Sequence, residues 1–130
     1  MGEEKFLIDT NVIIDFLAGK FSENDSKFIN SIIDKTPIIS VITKIEVLGF
    51  KTNQKDYQIL SNFISECIVL NLNEEITQMT IEIRKEKSIK LPDAIIAASC
   101  IVYDLTLLTR NVNDFKQLKN LHLVNSHNSL

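Results

Sequence analysis

Glycine and proline are scarce in this 130-residue chain, three and two respectively. No segment is repeated or of low complexity, so nothing marks a linker between domains. Cysteine is limited to Cys67 and Cys100, which excludes a disulfide scaffold; with no export signal, both read as reduced thiols of a cytosolic protein. An excess of basic residues is also missing. Fourteen Lys and Arg against seventeen Asp and Glu give a net charge of −3, which argues against a broad basic face on nucleic acid. The longest uncharged apolar stretch, Ala94 to Val102, falls far short of the roughly 20 residues that span a bilayer. The opening Met1-Gly2-Glu3-Glu4-Lys5 lacks the basic and apolar regions of a signal peptide. The expectation is a cytoplasmic protein with no membrane segment. What is present, 45% hydrophobic and 24% charged residues, suits a single globular domain over residues 1–130 with a real core.

Short apolar runs alternate with segments of helical periodicity. Lys5-Phe6-Leu7-Ile8-Asp9 reads as a buried strand ending in the polar turn Asp9-Thr10-Asn11, and a helix follows through Val12, Ile13, Phe16 and Leu17 to about Gly19. Ser22 to Lys35 forms a second helix, with Ser22 as N-cap and Pro37 beyond its end. Ile38 to Val41 reads as a second strand feeding a helix from Thr43 to Phe50, and Lys55 to Glu66 as an amphipathic helix. Cys67 to Leu72 is a third strand, and a helix from about Asn73 to Lys87 carries acids at its start and Arg84, Lys85 and Lys87 near its end. Pro92-Asp93 opens a helix, Ala94 to Tyr103, that is apolar on nearly every face and therefore central. Leu105 to Thr109 and Leu121 to Val124 are the last strands, with a helical stretch from Asp114 to Lys119 between them. Uniformly apolar strands alternating with helices predict an α/β fold: a mainly parallel central sheet with helices on both faces.

In such sheets the ligand crevice lies beyond the carboxyl ends of the strands. Four acids fall there: Asp9 after the first strand, Glu46 after the second, Asp93 at the start of the buried helix, and Asp114 after the strand that closes with Thr109. Each has a plainer explanation taken singly. Asp9 and Asp114 suit helix caps, Asp93 favours the positive end of its helix, and Glu46, set between Ile45 and Val47, is divided evenly between a solvated face and a buried, partnered position. Jointly, four convergent carboxylates repel one another and raise their own pKa values unless a cation sits among them. An all-oxygen set suits Mg²⁺ or Mn²⁺, and no imidazole or thiolate cluster points to zinc. His122 and His127 read as surface residues, Cys67 and Cys100 as core.

Three segments resemble the PIN domain family, and more closely its small VapC-type toxin ribonucleases. They are Phe6-Leu7-Ile8-Asp9-Thr10-Asn11-Val12-Ile13-Ile14, then Ser40 to Gly49 around Glu46, then Leu91 to Ala98 with Leu107-Leu108-Thr109-Arg110-Asn111-Val112-Asn113-Asp114-Phe115. The isolated Asp-Thr-Asn is weak evidence; the ordered set ending in Thr-Arg-Asn-x-x-Asp-Phe is strong. The resemblance implies a single PIN-like domain with Asp9, Glu46, Asp93 and Asp114 as catalytic acids and metal ligands, and Thr10, Asn11, Thr109 and Asn111 as supporting residues. The turn Lys87-Ser88-Ile89-Lys90 departs from relatives, which often have Gly before the third acid.

The activity implied is metal-dependent endonucleolytic cleavage of RNA. No histidine stands where a general base is needed, so a water activated by the ion is the candidate nucleophile. Setting the four acids aside leaves thirteen acidic against fourteen basic residues, a balance that does not repel RNA. Lys44, Lys51, Arg84, Lys85, Lys87, Lys90 and Arg110 lie in segments able to flank the crevice and contact phosphates. The resemblance also implies a homodimer neutralised by a cognate antitoxin, with Phe50, Tyr57, Leu60 and Phe63 as candidate contact residues. Two other classes compete: a catalytically silent PIN-like module that binds a metal or partner, and a phosphoryl-transfer or phospho-receiver domain. The latter asks for Asp-x-Asp or an acidic pair after the opening strand, and Asp9-Thr10-Asn11 provides neither.

Overall fold

The computed structural model describes residues 4–127. The elements run β1 (Phe6–Ile8), α1 (Thr10–Leu17), α2 (Glu23–Ile33), β2 (Ile38–Ser40), α3 (Val41–Leu48), α4 (Gln54–Ser65), β3 (Ile68–Leu70), α5 (Glu74–Glu86), α6 (Leu91–Tyr103), β4 (Thr106–Thr109), α7 (Val112–Phe115) and β5 (His122–Asn125). The strands form one sheet in the order β3-β2-β1-β4-β5, and every pairing is parallel. The central strand β1 has its sequence neighbour β2 on one side and β4 on the other. The chain therefore winds outward one way, then returns and winds outward the other, and the crevice falls at the carboxyl ends of β1 and β4.

Adjacent strand residues face opposite layers. Leu7 and Leu107 belong to the core on the α5, α6 and α7 side, with Ile76, Ile96, Ala97 and Phe115. Ile8 and Leu108 belong to the core on the other side, with Val12, Ile13, Ile29, Val47 and Leu60. Because both faces are covered, these strands are apolar without alternation. Helix α6 buries seven consecutive residues, Ala94 to Cys100, and its one polar member in that run, Ser99, donates to the Ile95 carbonyl at 2.8 Å. The helix stops at Asp104, whose φ of 54° and ψ of 50° are left-handed, a conformation that Asp tolerates better than most residues. Gly19, at φ 68°, provides the same reversal after α1.

Several boundaries differ from the sequence reading. Helix α3 begins at Val41, immediately after β2, because Ser40 accepts from the Ile42 N–H and caps it there. Strand β3 is shorter than Cys67 to Leu72 and lies at the sheet edge with Ile68 exposed. The last helix is Val112–Phe115 rather than Asp114 to Lys119, so Asp114 lies inside it and Asn111 takes the cap position. Asp114 is therefore not a cap. Ser22 caps α2 as expected, accepting from the Asp25 N–H at 3.1 Å, and α5 carries Glu74 and Glu75 in its first turn and Arg84 and Lys85 in its last. Among the described residues no helix is long and apolar enough to cross a membrane.

Candidate active site

Strand β1 delivers Asp9 to the carboxyl edge of the sheet, where the Asp9 N–H still donates to the Leu108 carbonyl of β4. Asp9 occupies the N-cap position of α1 and is buried. Its Oδ1 accepts from the Thr10 N–H at 2.9 Å. Its Oδ2 accepts from the Asn11 amide at 3.0 Å and from the buried Thr109 hydroxyl at 2.7 Å. The cap residue is thus also one of the predicted site acids. Burial pushes the Asp9 carboxyl above the ordinary Asp range, the three hydrogen bonds pull it back, and the negative charge of Glu46 adds to the rise.

Glu46 is exposed on α3 and still has a partner, since the Thr10 hydroxyl donates to its Oε1 at 2.6 Å. Thr10 is in turn hydrogen-bonded to the fully buried Thr43 hydroxyl at 3.0 Å. Asp93 sits in the first turn of α6. Its carboxyl is raised first by burial, then by the charges of Asp9, Asp114 and Glu46, with Lys90 opposing. The charges of the other three predicted acids thus converge on Asp93. Asp114 projects from α7 into a polar hollow of about 450 Å³ that it shares with Asp93, Lys90, Ser88, Asn113 and Gln117.

The supporting residues are equally connected. Thr109 accepts from the Asn111 N–H at 3.0 Å while it donates to Asp9, and Asn11 accepts from the Arg110 N–H at 3.0 Å while it donates to Asp9. Three contributors escaped the sequence reading. Thr43 left no signal beyond lying three residues before Glu46, and Asp15 was hidden in an apolar helical stretch. The third is the role of Arg110, whose Nη1 lies 3.0 and 2.8 Å from the two carboxylate oxygens of buried Asp15; that guanidinium is already held by α1. Among the proposed flanking cations, Lys90 stands in the acidic hollow, while Lys87 faces a separate one bounded by α5 and Leu118. His122 is exposed as expected. His127 is not a plain surface residue: its ring stacks on Phe21 at 4.5 Å and its Nε2 lies 3.7 Å from Asp15. Both cysteines are free, and burial raises their thiols, Cys67 to about 11 and Cys100 further, which keeps them protonated and inert.

The donor set is all carboxylate and hydroxyl oxygen, the chemistry of a hard divalent cation. Among the described residues, no ion pair neutralises the four acids, and no three His, Cys, Asp or Glu side chains form a ready cage. Mg²⁺ fits that arrangement, since it is commonly bound by one or two carboxylates and completes its shell with water and substrate phosphate. Asp9 is the first of the three acids whose charges act on Asp93, and among the described residues its Oδ1 accepts from one donor only.

A three-layer α/β domain with an acidic cleft beyond β1 and β4 defines a recognisable class. The family model described as PIN domain matches residues 6–121, and the chain belongs to that family. It is 28% identical, over a 144-residue alignment covering 95% of each chain, to Ribonuclease VapC2 of Methanocaldococcus jannaschii. A toxin-antitoxin complex from Klebsiella pneumoniae contains a chain of which 98% is covered by 95% of this one, at a TM-score of 0.78 and 28% identity. VapBC2 from Rickettsia felis, bound to a DNA fragment from its promoter, shares the fold at a TM-score of 0.78 and 22% identity over 92% of this chain and 97% of that one.

Proposed function

We propose that this chain is a Mg²⁺- or Mn²⁺-dependent endoribonuclease acting as the toxin of a type II toxin-antitoxin pair. The observation that carries the reading is the gathering of Asp9, Asp114 and Glu46 near enough to Asp93 for their charges to add to the rise that burial gives its carboxyl, a grouping that has a use when a cation is held. The relative named a ribonuclease and the neighbour named a toxin-antitoxin complex support the substrate and the partner. A divalent cation bound there would supply Lewis-acid stabilisation of charge on a phosphodiester and would activate water. Asp9 and Asp93 would hold it. Glu46, fixed by Thr10, and Asp114, which shares a hollow with Asp93, would orient water and substrate. Asn11 and Thr109 keep the Asp9 carboxylate aimed, and Lys90 meets a phosphate on the Asp93 side.

The partner surfaces belong to the same reading. Phe50 and Tyr57 are exposed, Leu60 is buried and Phe63 packs into the core beside Phe16, so only the first two of the four candidate contact residues are free. Phe50, with Ile14, Leu17, Ile59 and Leu60, lines a hollow of about 250 Å³ that Thr52 and Asp56 also border, which suits a largely apolar antitoxin segment. The homodimer is proposed on the resemblance alone. Expression in a bacterial host, alone and together with any small protein encoded beside it, tests the toxin assignment. Growth arrest relieved by co-expression is expected; unharmed growth together with an RNA pool left intact in Mg²⁺ and in Mn²⁺ contradicts it.

A further inference from the structure

Asp15 is 2% exposed, an expensive place for a carboxylate, and the proposed chemistry makes no direct use of it. It lies on α1, the helix that Asp9 caps. Its partner Arg110 is half-exposed and follows Thr109 directly. Both groups that donate to Asp9 Oδ2 are tied to this arginine: Thr109 is its chain neighbour, and Asn11 accepts from its backbone N–H at 3.0 Å. The guanidinium and the backbone N–H of one residue therefore grip the same helix at two points. The turn that carries Asn111 and leads to Asp114 is pinned between them.

We propose that Asp15 is a positioning residue of the acidic site: through Arg110 it fixes the Thr109–Asn111 turn and, with it, the two side chains that aim Asp9. The inference rests on Asp9 being a site acid. Losing the Asp15 contact lets the turn lift from α1, so Asn11 and Thr109 lose their fixed relation to Asp9 Oδ2. Ligand-orienting partners of this kind typically govern metal affinity or rate by 10- to 100-fold. Only one guanidinium nitrogen makes both contacts to Asp15, so an ammonium in its place retains the essential charge pairing.

The test uses the full chain as Asp15→Asn, Arg110→Met and Arg110→Lys. Three quantities are read: the NMR resonances of the Asn11 side-chain amide, Mn²⁺ affinity by electron paramagnetic resonance, and the kcat and KM for RNA cleavage. Asp15→Asn and Arg110→Met are expected to move the Asn11 amide resonances, weaken Mn²⁺ binding about tenfold or more and lower kcat with little change in KM. Arg110→Lys is expected to restore most of each. A fall in melting temperature with unchanged Asn11 resonances and unchanged Mn²⁺ affinity overturns the proposal and leaves Asp15 a stabiliser of α1. Should Asp15→Asn not fold, the two Arg110 variants carry the comparison from the half-exposed side of the pair. A parent that binds no Mn²⁺ and cuts no RNA contradicts the proposed function instead, and the Asn11 resonances then decide the positioning role alone.

Discussion

The Thr109 hydroxyl donates to Asp9 Oδ2 at 2.7 Å, joining the ends of two adjacent parallel strands. The Thr109 hydroxyl oxygen also accepts from the Asn111 N–H, so one fully buried hydroxyl serves a carboxylate and a backbone amide at once. Thr109→Val removes both bonds while keeping the volume. It is expected to cost about 1–3 kcal/mol of stability, the range for stranding a buried polar group, and to weaken Mn²⁺ binding about tenfold or more. Denaturant unfolding and a Mn²⁺ titration measure the two effects, and Thr109→Ser restores both.

Asp9→Asn separates a cap from a ligand. Neutralising Asp9 relieves its burial cost and the repulsion from Glu46, against which the amide group faces the Thr10 N–H or the donors on Oδ2 unproductively. In EDTA the variant is therefore expected to melt close to the parent, with the opposing effects each on the order of 1 kcal/mol. With Mn²⁺ a hundredfold above the dissociation constant the parent gains about 2.7 kcal/mol, and the variant is expected to gain little. Melting curves of both proteins under the two conditions check this; an equal gain from metal makes Asp9 a cap only.

Asp9 and Asp93 have carboxyls raised in the folded protein above the unfolded value of 3.8, so between that value and the raised ones the folded chain holds more protons than the unfolded chain. Stability from these two groups is present below the unfolded value and is lost as pH rises through the raised values. The EDTA-treated protein is expected to lose less stability on acidification than one whose carboxylates are all well paired. Asp93→Asn is expected to flatten that part of the profile. Urea titrations across pH 4 to 7 (an interval of about three units above the ordinary carboxylate range) read the slope directly.

A core side chain that bears no donor atom separates folding from site chemistry. Ile96 is 1% exposed in the centre of α6, and Ile96→Ala is expected to cost about 2–5 kcal/mol through lost burial and the cavity left behind. The stabilisation that this variant gains from Mn²⁺ should match the parent's, since Ile96 packs in the core and bears no donor. Thermal melts at graded Mn²⁺ concentrations separate the two contributions.

The parallel sheet and its two covered faces were legible because they rest on apolar runs such as Phe6–Ile8; Asp9, Glu46 and Asp114 stood out as acids that follow a strand, and Asp93 as the acid that opens an apolar helix. The start of α3 was misplaced because Val41 and Ile42 favour strands intrinsically, and the Ser40 cap overrides that preference. The helix at Asp114 was placed late because an Asp before an amphipathic stretch looks like a cap, whereas Asn111 holds that position and the segment beyond Phe115 is a turn. Asp15 and Arg110 stand 95 residues apart in sequence. No spacing rule connects them; only the β1 to β4 pairing brings them together.

The most direct test of the metal-dependent acidic site is single-turnover cleavage of an RNA pool across a Mn²⁺ titration, with the parent and Asp9→Asn run beside Mn²⁺ binding. The account predicts that parent cleavage is absent in EDTA and rises with the same midpoint as Mn²⁺ occupancy, while the folded variant stays inactive throughout. Cleavage that persists undiminished in EDTA, or an Asp9→Asn protein that cuts RNA as fast as the parent, contradicts it.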